Sequence, residues 1–384
     1  LIFLNKGFLT LLLISGLSQI SCGQNLSWIK QFGGVGYETS RFITTDVLGN
    51  VYVIGSFSDT VDFNPGLDTV NLNDGGNFVC KLDPSGNLIW AKRISPTVTG
   101  ISVDARENIY ITGSFQGYVD FDPGIGTFFM SSVSQFQHDI FISKIDTFGN
   151  FIWEKGMGGP GIDRGNSIVT DIWGNIFVTG SFQATVDFDP SAGTFNLSTA
   201  TNDNMFIVKL DTNGDFLWAK QMGGTYATAC GTSIDVDSFG NIYTTGYYKG
   251  TADFDPSSGI FNLDYHTGGY NDIFVSKLDS SGNFRWAKGV GGFRDDKGLS
   301  ICIDLHGNVY TTGYFEGAVD FDPGVDSFYL YSSSSADDDI FVYKLDVNGN
   351  FVWAKQMGGN SPDHGNSITT DISGNILTVG DFWG

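Results

Sequence analysis

The chain has 384 residues and a formal charge of −22 at pH 7, with 42 acidic residues against only 20 lysines and arginines. A surface this acidic repels nucleic acid and anionic membranes, so the sequence argues against both as partners. The 52 glycines and the aromatic content of 15% are typical of many short strands joined by tight turns. We therefore expect an all-β protein with ample chain for a core.

The first 23 residues differ from the rest of the chain and predict a secretory signal peptide. Lys6 precedes an apolar run over residues 8–17, and small residues follow up to Gly23. The run is shorter than the ~20 residues of a spanning helix, so we expect no transmembrane segment. Cleavage after Gly23 leaves residues 24–384 as the folded domain, secreted or held at the surface of a bacterium. A lipoprotein acylated at Cys22 is the alternative.

A tryptophan then returns along the chain at intervals of 62 to 68 residues. It lies in the recurring pattern L-D-x-x-G-N-x-x-W-A-K, and S-I-x-x-D-x-x-G-N-I-Y-x-T-G-x-F and V-D-F-D-P recur with it. One unit has been copied along nearly the whole chain. The six copies are Trp28, Trp90, Trp153, Trp218, Trp286 and Trp353.

Each unit is predicted to be a propeller blade of four antiparallel strands. Residues 273–279 and 284–288 form a hairpin around an Asp/Gly/Asn turn, and residues 300–304 and 309–314 form a second one. The strands are apolar on both faces, as expected when a blade packs between neighbours. Because an ordinary blade takes about 40 to 50 residues, the period of about 65 leaves a surplus hairpin, between the second and third strands.

The ends of the chain predict how the ring closes. The segment around Trp28 resembles a fourth strand, and residues 367–371 and 376–382 resemble a first and a second strand. Joined in one blade, they would remove exposed sheet edges. That blade would still lack one strand, so we expect five whole repeats plus parts of a further blade, a C-terminally truncated sequence, and six or seven blades in the full protein.

With the words at 49–57 and 78–92 and their later copies, the chain resembles the bacterial β-propeller repeat family known as SBBP. The likeness covers roughly residues 26 to 382 and implies a secreted or surface-exposed propeller without an assigned activity. It transfers no catalytic residues. The word L-D-x-x-G-x-x-x-W also looks like the docking word of quinoprotein propellers, which bind pyrroloquinoline quinone and calcium. Their usual Thr before the Gly is absent here, so that likeness argues for fold and not for cofactor.

Pairs of aspartates in the surplus hairpins are the best candidate site. Carboxylates two apart on a strand share a face about 7 Å apart and could contribute oxygen ligands to calcium, which needs six to eight. The alternative, which we favour, is a solvated turn in which Asp before Pro caps a bend. No other cofactor is expected. The calcium candidates are Asp120, Asp122, Asp187, Asp189, Asp253, Asp255, Asp320 and Asp322, with Asp62 and Asn64 as the odd copy.

Catalysis finds little support in the remaining residues. The four histidines, His138, His266, His306 and His364, sit at unrelated repeat positions. Neither G-x-S-x-G nor H-E-x-x-H occurs. Cys80 and Cys302 lie in apolar strand words, where a buried thiol is expected. Five Gly-Gly words follow strands and do not open helices, so they are interpreted as rim turns and not as phosphate cradles. They lie at residues 33–34, 158–159, 223–224, 291–292 and 358–359.

We therefore expect a monomeric, non-enzymatic, exported propeller that acts as a binding or interaction scaffold for a glycan or a protein. Its binding surface is expected in loops that vary between copies: residues 161–166, 225–231, 293–298 and 360–366. The alternative is the propeller part of an extracellular hydrolase or quinoprotein-like enzyme, with its chemistry in the channel or in a missing C-terminal domain.

Overall fold

In a computed structural model of the chain, the described residues are 2–5, 8–14, 26–34, 36–64, 68–200, 202–266, 269–334, 337–371 and 373–383. These residues form 35 strands and no helix, which confirms the all-β prediction. Within these ranges, nothing helical is therefore available to cross a membrane.

The N-terminal segment leaves the signal-peptide prediction open. Strands β1 (Ile2–Asn5) and β2 (Phe8–Ile14) fall inside the predicted signal peptide, and β2 pairs with β3 (Leu26–Gly34). Cys22 and Gly23 lie outside the described residues. Strand β3, expected as the fourth strand of a closing blade, pairs here with β2 and with β6 (Val61–Asp62). The closing blade and the signal peptide both stay predictions.

Contacts divide the chain into two compact units, and the first comprises residues 1–136 and 141–156. It contains two four-stranded antiparallel sheets, which we name blades A and B, each hydrogen-bonded in chain order. Their strands are β4 (Glu38–Thr45), β5 (Val51–Phe57), β8 (Gly76–Leu82) and β9 (Leu88–Ile94) in blade A, and β10 (Thr97–Val103), β11 (Ile109–Gln116), β14 (His138–Ile145) and β15 (Phe151–Met157) in blade B. Residues 137–140, and with them the start of β14, belong to the second unit.

The second unit also includes residues 157–384 and repeats the same plan as blades C, D and E. A final two-stranded sheet follows blade E. The strands are β16 (Arg164–Thr170), β17 (Ile176–Phe182), β20 (Asn204–Leu210) and β21 (Phe216–Met222) in blade C, β22 (Thr228–Val236), β23 (Ile242–Lys249), β26 (Asp272–Leu278) and β27 (Phe284–Val290) in blade D, β28 (Lys297–Ile303), β29 (Val309–Glu316), β32 (Asp338–Leu345) and β33 (Phe351–Met357) in blade E, and lastly β34 (His364–Thr370) and β35 (Ile376–Asp381).

The surplus hairpin between the second and third strands is present in every blade, as predicted. We name these side hairpins A to E after their blades. Their strands are β6 and β7 (Asn71–Leu72), β12 (Tyr118–Asp120) and β13 (Phe129–Ser131), β18 (Thr185–Asp187) and β19 (Asn196–Ser198), β24 (Ala252–Asp253) and β25 (Asn262–Leu263), and β30 (Ala318–Asp320) and β31 (Tyr329–Tyr331).

Each hairpin fastens to its blade through buried aromatic rings. In blade C, Phe188 of the hairpin packs against Phe182 and Phe206, with ring centroids 5.4 and 4.9 Å away. All three side chains are fully buried. Gly180 is required beside them, because a Cβ there would overlap the Arg164 carbonyl and approach the Phe206 ring. The glycine of the T-G-S-F word is therefore needed because the neighbouring backbone and rings leave no room for a side chain.

The repeated tryptophan joins neighbouring blades. Trp286 of blade D donates from Nε1 to the Val347 carbonyl in the turn of blade E, at 3.3 Å. In the first unit, Trp90 donates to the Thr147 carbonyl at 3.0 Å. The ring lies so close to the turn glycine that a Cβ at Gly349 would stand 2.9 Å from it. Tryptophan and turn are thus one contact between blades, which explains why both words recur together.

Candidate functional site

The aspartate pairs predicted as calcium candidates lie at the turns of the side hairpins, where they cap backbone groups. Asp320 Oδ1 accepts from the backbone N–H of Asp322 at 3.1 Å and of Phe328 at 2.8 Å. Asp322 Oδ1 in turn accepts from Gly324 N at 2.8 Å. The same bonds recur at Asp120 and Asp122, Asp187 and Asp189, and Asp253 and Asp255.

This arrangement gives the pairs a structural role that needs no ion. Calcium takes six to eight oxygen ligands, and one pair supplies few of them. Within the described ranges, no three or more His, Cys, Asp or Glu side chains gather as a metal site would require. Calcium binding by these eight residues stays a prediction, and capping is the role that the geometry displays.

The backbone of each hairpin also bridges to the preceding strand through the Gly-Gly words. Gly223 and Asp253 exchange two backbone hydrogen bonds, of 2.9 and 2.8 Å. Gly158 pairs with Asp187 and Gly291 with Asp320 in the same way. The first glycine of each word is therefore the link between a fourth strand and the next hairpin.

A set of buried carboxylates, missed by the sequence analysis, surrounds these glycines. Between blades D and E, Asp272 packs against Gly291, where a Cβ would overlap its carboxylate. Asp296 Oδ2 accepts from Gly292 N at 2.8 Å and its Oδ1 accepts from Glu316 N at 2.9 Å. Both aspartates are 0 to 1% exposed. Asp139 with Asp163, and Asp339 with Asp363, repeat this pair.

Burial and repulsion from neighbouring carboxylates raise the pKa of two of these groups, Asp163 and Asp296. Burial raises the pKa of Asp163 to about 7, and the negative charges of Asp139 and Asp203 add to the rise. Burial likewise raises the pKa of Asp296 well above its ordinary value, with Asp272 and Asp295 contributing. The backbone N–H donors oppose the shift, since they favour the charged form.

Between blades C and D both acids are missing. Asn204 stands where blades B, D and E have Asp139, Asp272 and Asp339, and buried Ala229 stands at the position that Asp163, Asp296 and Asp363 hold in other repeats. Strand pairing replaces the lost carboxylate, because β22 begins at Thr228, which pairs with Lys249, and runs for nine residues instead of seven. This junction has a different construction from its neighbours.

A groove of about 460 Å³ opens at this junction, which we name the C–D groove. Hairpin C and the turn of hairpin D form its sides, and β21 with the following glycines lies along it. A Cβ at Gly224 would stand 3.4 Å from the Thr251 carbonyl, whereas one at Gly292 would stand 2.5 Å from the Ala318 carbonyl. The hairpin of blade D therefore lies farther from its Gly-Gly word than the hairpin of blade E does.

The lining of the C–D groove includes hydroxyl and amide side chains, among them Ser198, Thr199, Asn204, Gln221 and Ser257. Charged and apolar residues also line it, including Lys220, Asp253, Asp255, Phe195, Leu197 and Pro256. Gln221 Nε2 donates to the Ser198 carbonyl at 3.0 Å and so ties the hairpin to β21. A volume in the ligand-pocket range with hydroxyl and amide groups suits a polar ligand. Two calcium candidates, Asp253 and Asp255, are thereby brought into the groove.

The variable segments predicted as the binding surface are only partly loops. Each of the four runs into a first strand, and three of them hold the buried caps Asp163, Asp296 and Asp363. Each segment also has exposed positions, such as Tyr226, 87% exposed, and Phe293, 67% exposed. Sequence variation here thus reflects both rim exposure and the buried acid pairs.

Among the described residues, three cysteines are buried and two histidines contact aspartates. Cys80, Cys230 and Cys302 are free and buried, as expected for two of them, and burial raises the pKa of Cys80 to about 12. His266 Nδ1 lies 3.0 Å from Asp272 Oδ2, a contact that raises the pKa of this histidine. His364 Nε2 lies 3.1 Å from Asp338 Oδ2.

Comparison with known proteins identifies the repeat. The family described as SBBP, beta-propeller repeat, matches residues 217–249 and 352–381, which cover a fourth strand with the following first and second strands. The chain therefore contains SBBP β-propeller repeats in these two regions. The resemblance inferred from the repeated words, and the propeller fold, are confirmed.

Two curated proteins resemble this chain in sequence. An uncharacterized WD repeat-containing protein of Acanthamoeba polyphaga mimivirus is 25% identical over 97% of the chain, and the chain spans 32% of that protein. The regulatory protein FlaEY of Caulobacter vibrioides is 28% identical over 30% of the chain and is covered over 12% of its own length. The chain thus spans a third or less of either relative.

Two solved structures resemble the chain only distantly. A Bacteroides caccae protein of unknown function is 11% identical, with 92% of this chain and 94% of that one covered. Hydrazine synthase of Kuenenia stuttgartiensis is 9% identical, with 88% and 94% covered. The TM-score is 0.40 in both cases, so neither likeness carries an argument.

Proposed function

We propose that this propeller is a non-enzymatic binding scaffold, exported to the bacterial surface or beyond it, whose polar ligand, a glycan or a protein segment, lies in the C–D groove. The observation that carries the proposal is the departure of this one junction from the buried acid pairs of its neighbours. Its hydroxyl and amide groups offer hydrogen-bond donors and acceptors where the neighbouring junctions hold a pair of buried carboxyl groups.

The lining also supports binding over catalysis. None of the groove residues is a histidine or a cysteine, the side chains that most often act as general base or reactive nucleophile. Its two aspartates already accept backbone hydrogen bonds through Oδ1. The groups that remain are suited to recognition.

Filling the groove tests the proposal. Ser257 is exposed and lines the groove, so Ser257→Trp should block it without disturbing the core. Ser191 holds the same place in hairpin C, outside the groove lining, so Ser191→Trp is the matched control. Both variants and the parent would be screened on a glycan array and against a random-peptide display library.

A ligand that binds the parent and Ser191→Trp but loses at least tenfold in affinity for Ser257→Trp would support the groove. Ligands that bind all three equally, or no ligand at all, would contradict it. Turnover of a bound ligand, followed by mass spectrometry, would contradict the non-enzymatic part of the proposal.

Export has its own test. Expression of the full chain in a Gram-negative host should give a processed protein that begins at Gln24, as read by N-terminal sequencing. A diacylated fragment that begins at Cys22 would establish the lipoprotein alternative, and an unprocessed protein retained in the cytoplasm would contradict export.

A further inference from the structure

The outward faces of the five side hairpins divide into two chemical classes. In each hairpin, alternate residues point away from the blade and are exposed or half-buried. Three hairpins present only small polar or acidic residues, and two present aromatic rings. The outward sets are Thr60, Asp62, Asn71 and Asn73 in A, Tyr118, Asp120, Phe129 and Ser131 in B, Thr185, Asp187, Asn196 and Ser198 in C, Thr251, Asp253, Asn262 and Asp264 in D, and Ala318, Asp320, Tyr329 and Tyr331 in E.

The polar hairpins close their outer end with a side-chain hydrogen bond. Thr60 Oγ1 donates to Asn73 Oδ1 at 2.9 Å in hairpin A, and Thr251 Oγ1 donates to Asp264 Oδ1 at 2.8 Å in hairpin D. In hairpin C, Thr185 and Ser198 share a bond of 2.8 Å. In these three hairpins the outermost pair of side chains is therefore already hydrogen-bonded within the face.

Hairpins B and E carry exposed aromatic rings on their outward faces. Tyr118 and Phe129 stack at 4.6 Å with an interplanar angle of 4° and are 70% and 47% exposed. Tyr329 and Tyr331 lie 6.2 Å apart at 29° and are 52% and 63% exposed. Large apolar groups held together at the surface mark interaction sites more often than scattered ones do.

The size of these faces selects the kind of partner. A strand of three residues is about 10 Å long, and its partner lies about 5 Å away. A stable protein interface needs about 800 Å² on each side. Each aromatic face is far smaller and matches one or two sugar rings.

The chemistry of the faces fits a sugar as well. The face of an aromatic ring is negative, so it attracts the C–H groups on the flat side of a pyranose. Asp120 and Asp320 lie on the same faces, where they can accept from sugar hydroxyls. The net charge of −22 repels polyanionic glycans and so favours neutral ones.

We propose that the outward faces of hairpins B and E are platforms that bind the pyranose rings of neutral glycans. This inference rests on the proposed binding function but places the contact on a surface separate from the C–D groove.

Affinity electrophoresis of the full chain through gels that contain hydroxyethyl cellulose, laminarin or galactomannan tests it, with polygalacturonate and poly-lysine as charged comparators. We expect retardation by at least one neutral polysaccharide. Tyr118→Thr with Phe129→Asn gives hairpin B the residues of hairpin C, and Tyr329→Asn with Tyr331→Ser does the same for hairpin E. Each pair should weaken binding about tenfold, which corresponds to about 1.4 kcal/mol, and the four changes together should abolish it.

The reverse change provides a gain of function in the same chain. Thr185→Tyr with Asn196→Phe should give hairpin C a third platform and increase the retardation. Thermal unfolding checks that each variant stays folded. Retardation that is lost in Ser257→Trp but kept in the fourfold variant would place the glycan in the groove instead, which separates the two proposals.

Three results would overturn the platforms: no retardation of the parent by any neutral polysaccharide, full retardation of the fourfold variant, or aromatic-dependent binding of poly-lysine alone. The last result would identify a basic ligand. The groove proposal would survive all three, because its own screen uses different variants.

Discussion

The junctions on the two sides of blade D differ in how their backbone groups are hydrogen-bonded. A buried carboxyl group accepts the bonds on one side, and a longer strand pairs with its neighbour on the other. Between blades D and E, buried Asp272 and Asp296 lie against Gly291 and Gly292, and the next hairpin is drawn close. Between blades C and D, Asn204 and Ala229 replace them, β22 is longer, and the hairpin lies farther away. The comparison shows that a ligand-sized groove lies where strand pairing takes the place of two buried carboxyl groups.

The largest expected effect comes from pH, because the junctions that hold the aspartate pairs bury titratable groups. Asp163 has a pKa of about 7 in the folded protein against an ordinary 3.8, so the folded state holds its proton more tightly than the unfolded state. Stability from this group is therefore greatest below about pH 4 and is lost as the pH rises through about 7. The loss amounts to about 4 kcal/mol at most, since one pKa unit is worth about 1.4 kcal/mol.

Urea unfolding between pH 4 and 8 measures this slope. Asp163→Asn resembles the protonated acid at every pH and should flatten it. Asp215→Asn, an exposed turn position, is the control and should keep the slope of the parent. An unchanged slope in Asp163→Asn would show that the residue does not hold a proton near neutral pH.

A smaller effect is expected from the second glycine of the Gly-Gly words. Gly292→Ala would place a Cβ 2.5 Å from the Ala318 carbonyl, whereas Gly224→Ala would place one at an ordinary 3.4 Å from the Thr251 carbonyl. Overpacking of this kind typically costs about 1–3 kcal/mol. We expect Gly292→Ala to lose about 2 kcal/mol of unfolding free energy and Gly224→Ala less than about 0.5. Equal losses in chemical denaturation would mean that the two junctions are equally tight.

The sequence predicts the scaffold well because each turn and strand motif occurs in several repeats. The Asp-x-x-Gly-Asn words predict turns, and in the structure Asp346 Oδ1 accepts from Asn348 N and Asn350 N, at 2.8 and 2.9 Å. Gly349 takes the positive φ of 78° that such a turn requires. Four strands per unit and a hairpin between the second and third follow from the same periodicity.

The candidate sites escaped prediction because they depend on positions far apart in the chain. Asp296 caps Gly292 nearby but also Glu316, 20 residues later, and its partner Asp272 lies in another strand. The exchange at Asn204 and Ala229 involves only two residues. The loop before Ala229 is one residue longer than in the other repeats, so its equivalence to Asp163 and Asp296 is not evident from the sequence. The aspartate pairs drew attention because they repeat, and repetition in this chain marks the scaffold.

The smallest effect concerns the tryptophan contact, which the two junctions do not share. Trp286 donates from Nε1 to the Val347 carbonyl between blades D and E, while Trp218, its counterpart in blade C, has no such bond among those described. Trp286→Phe keeps an aromatic ring but leaves a carbonyl without its donor, so it should cost about 1 kcal/mol more than Trp218→Phe. Chemical denaturation of both variants at one pH measures the difference. Equal costs would mean that the ring's packing on the turn glycine, and not its hydrogen bond, holds neighbouring blades together.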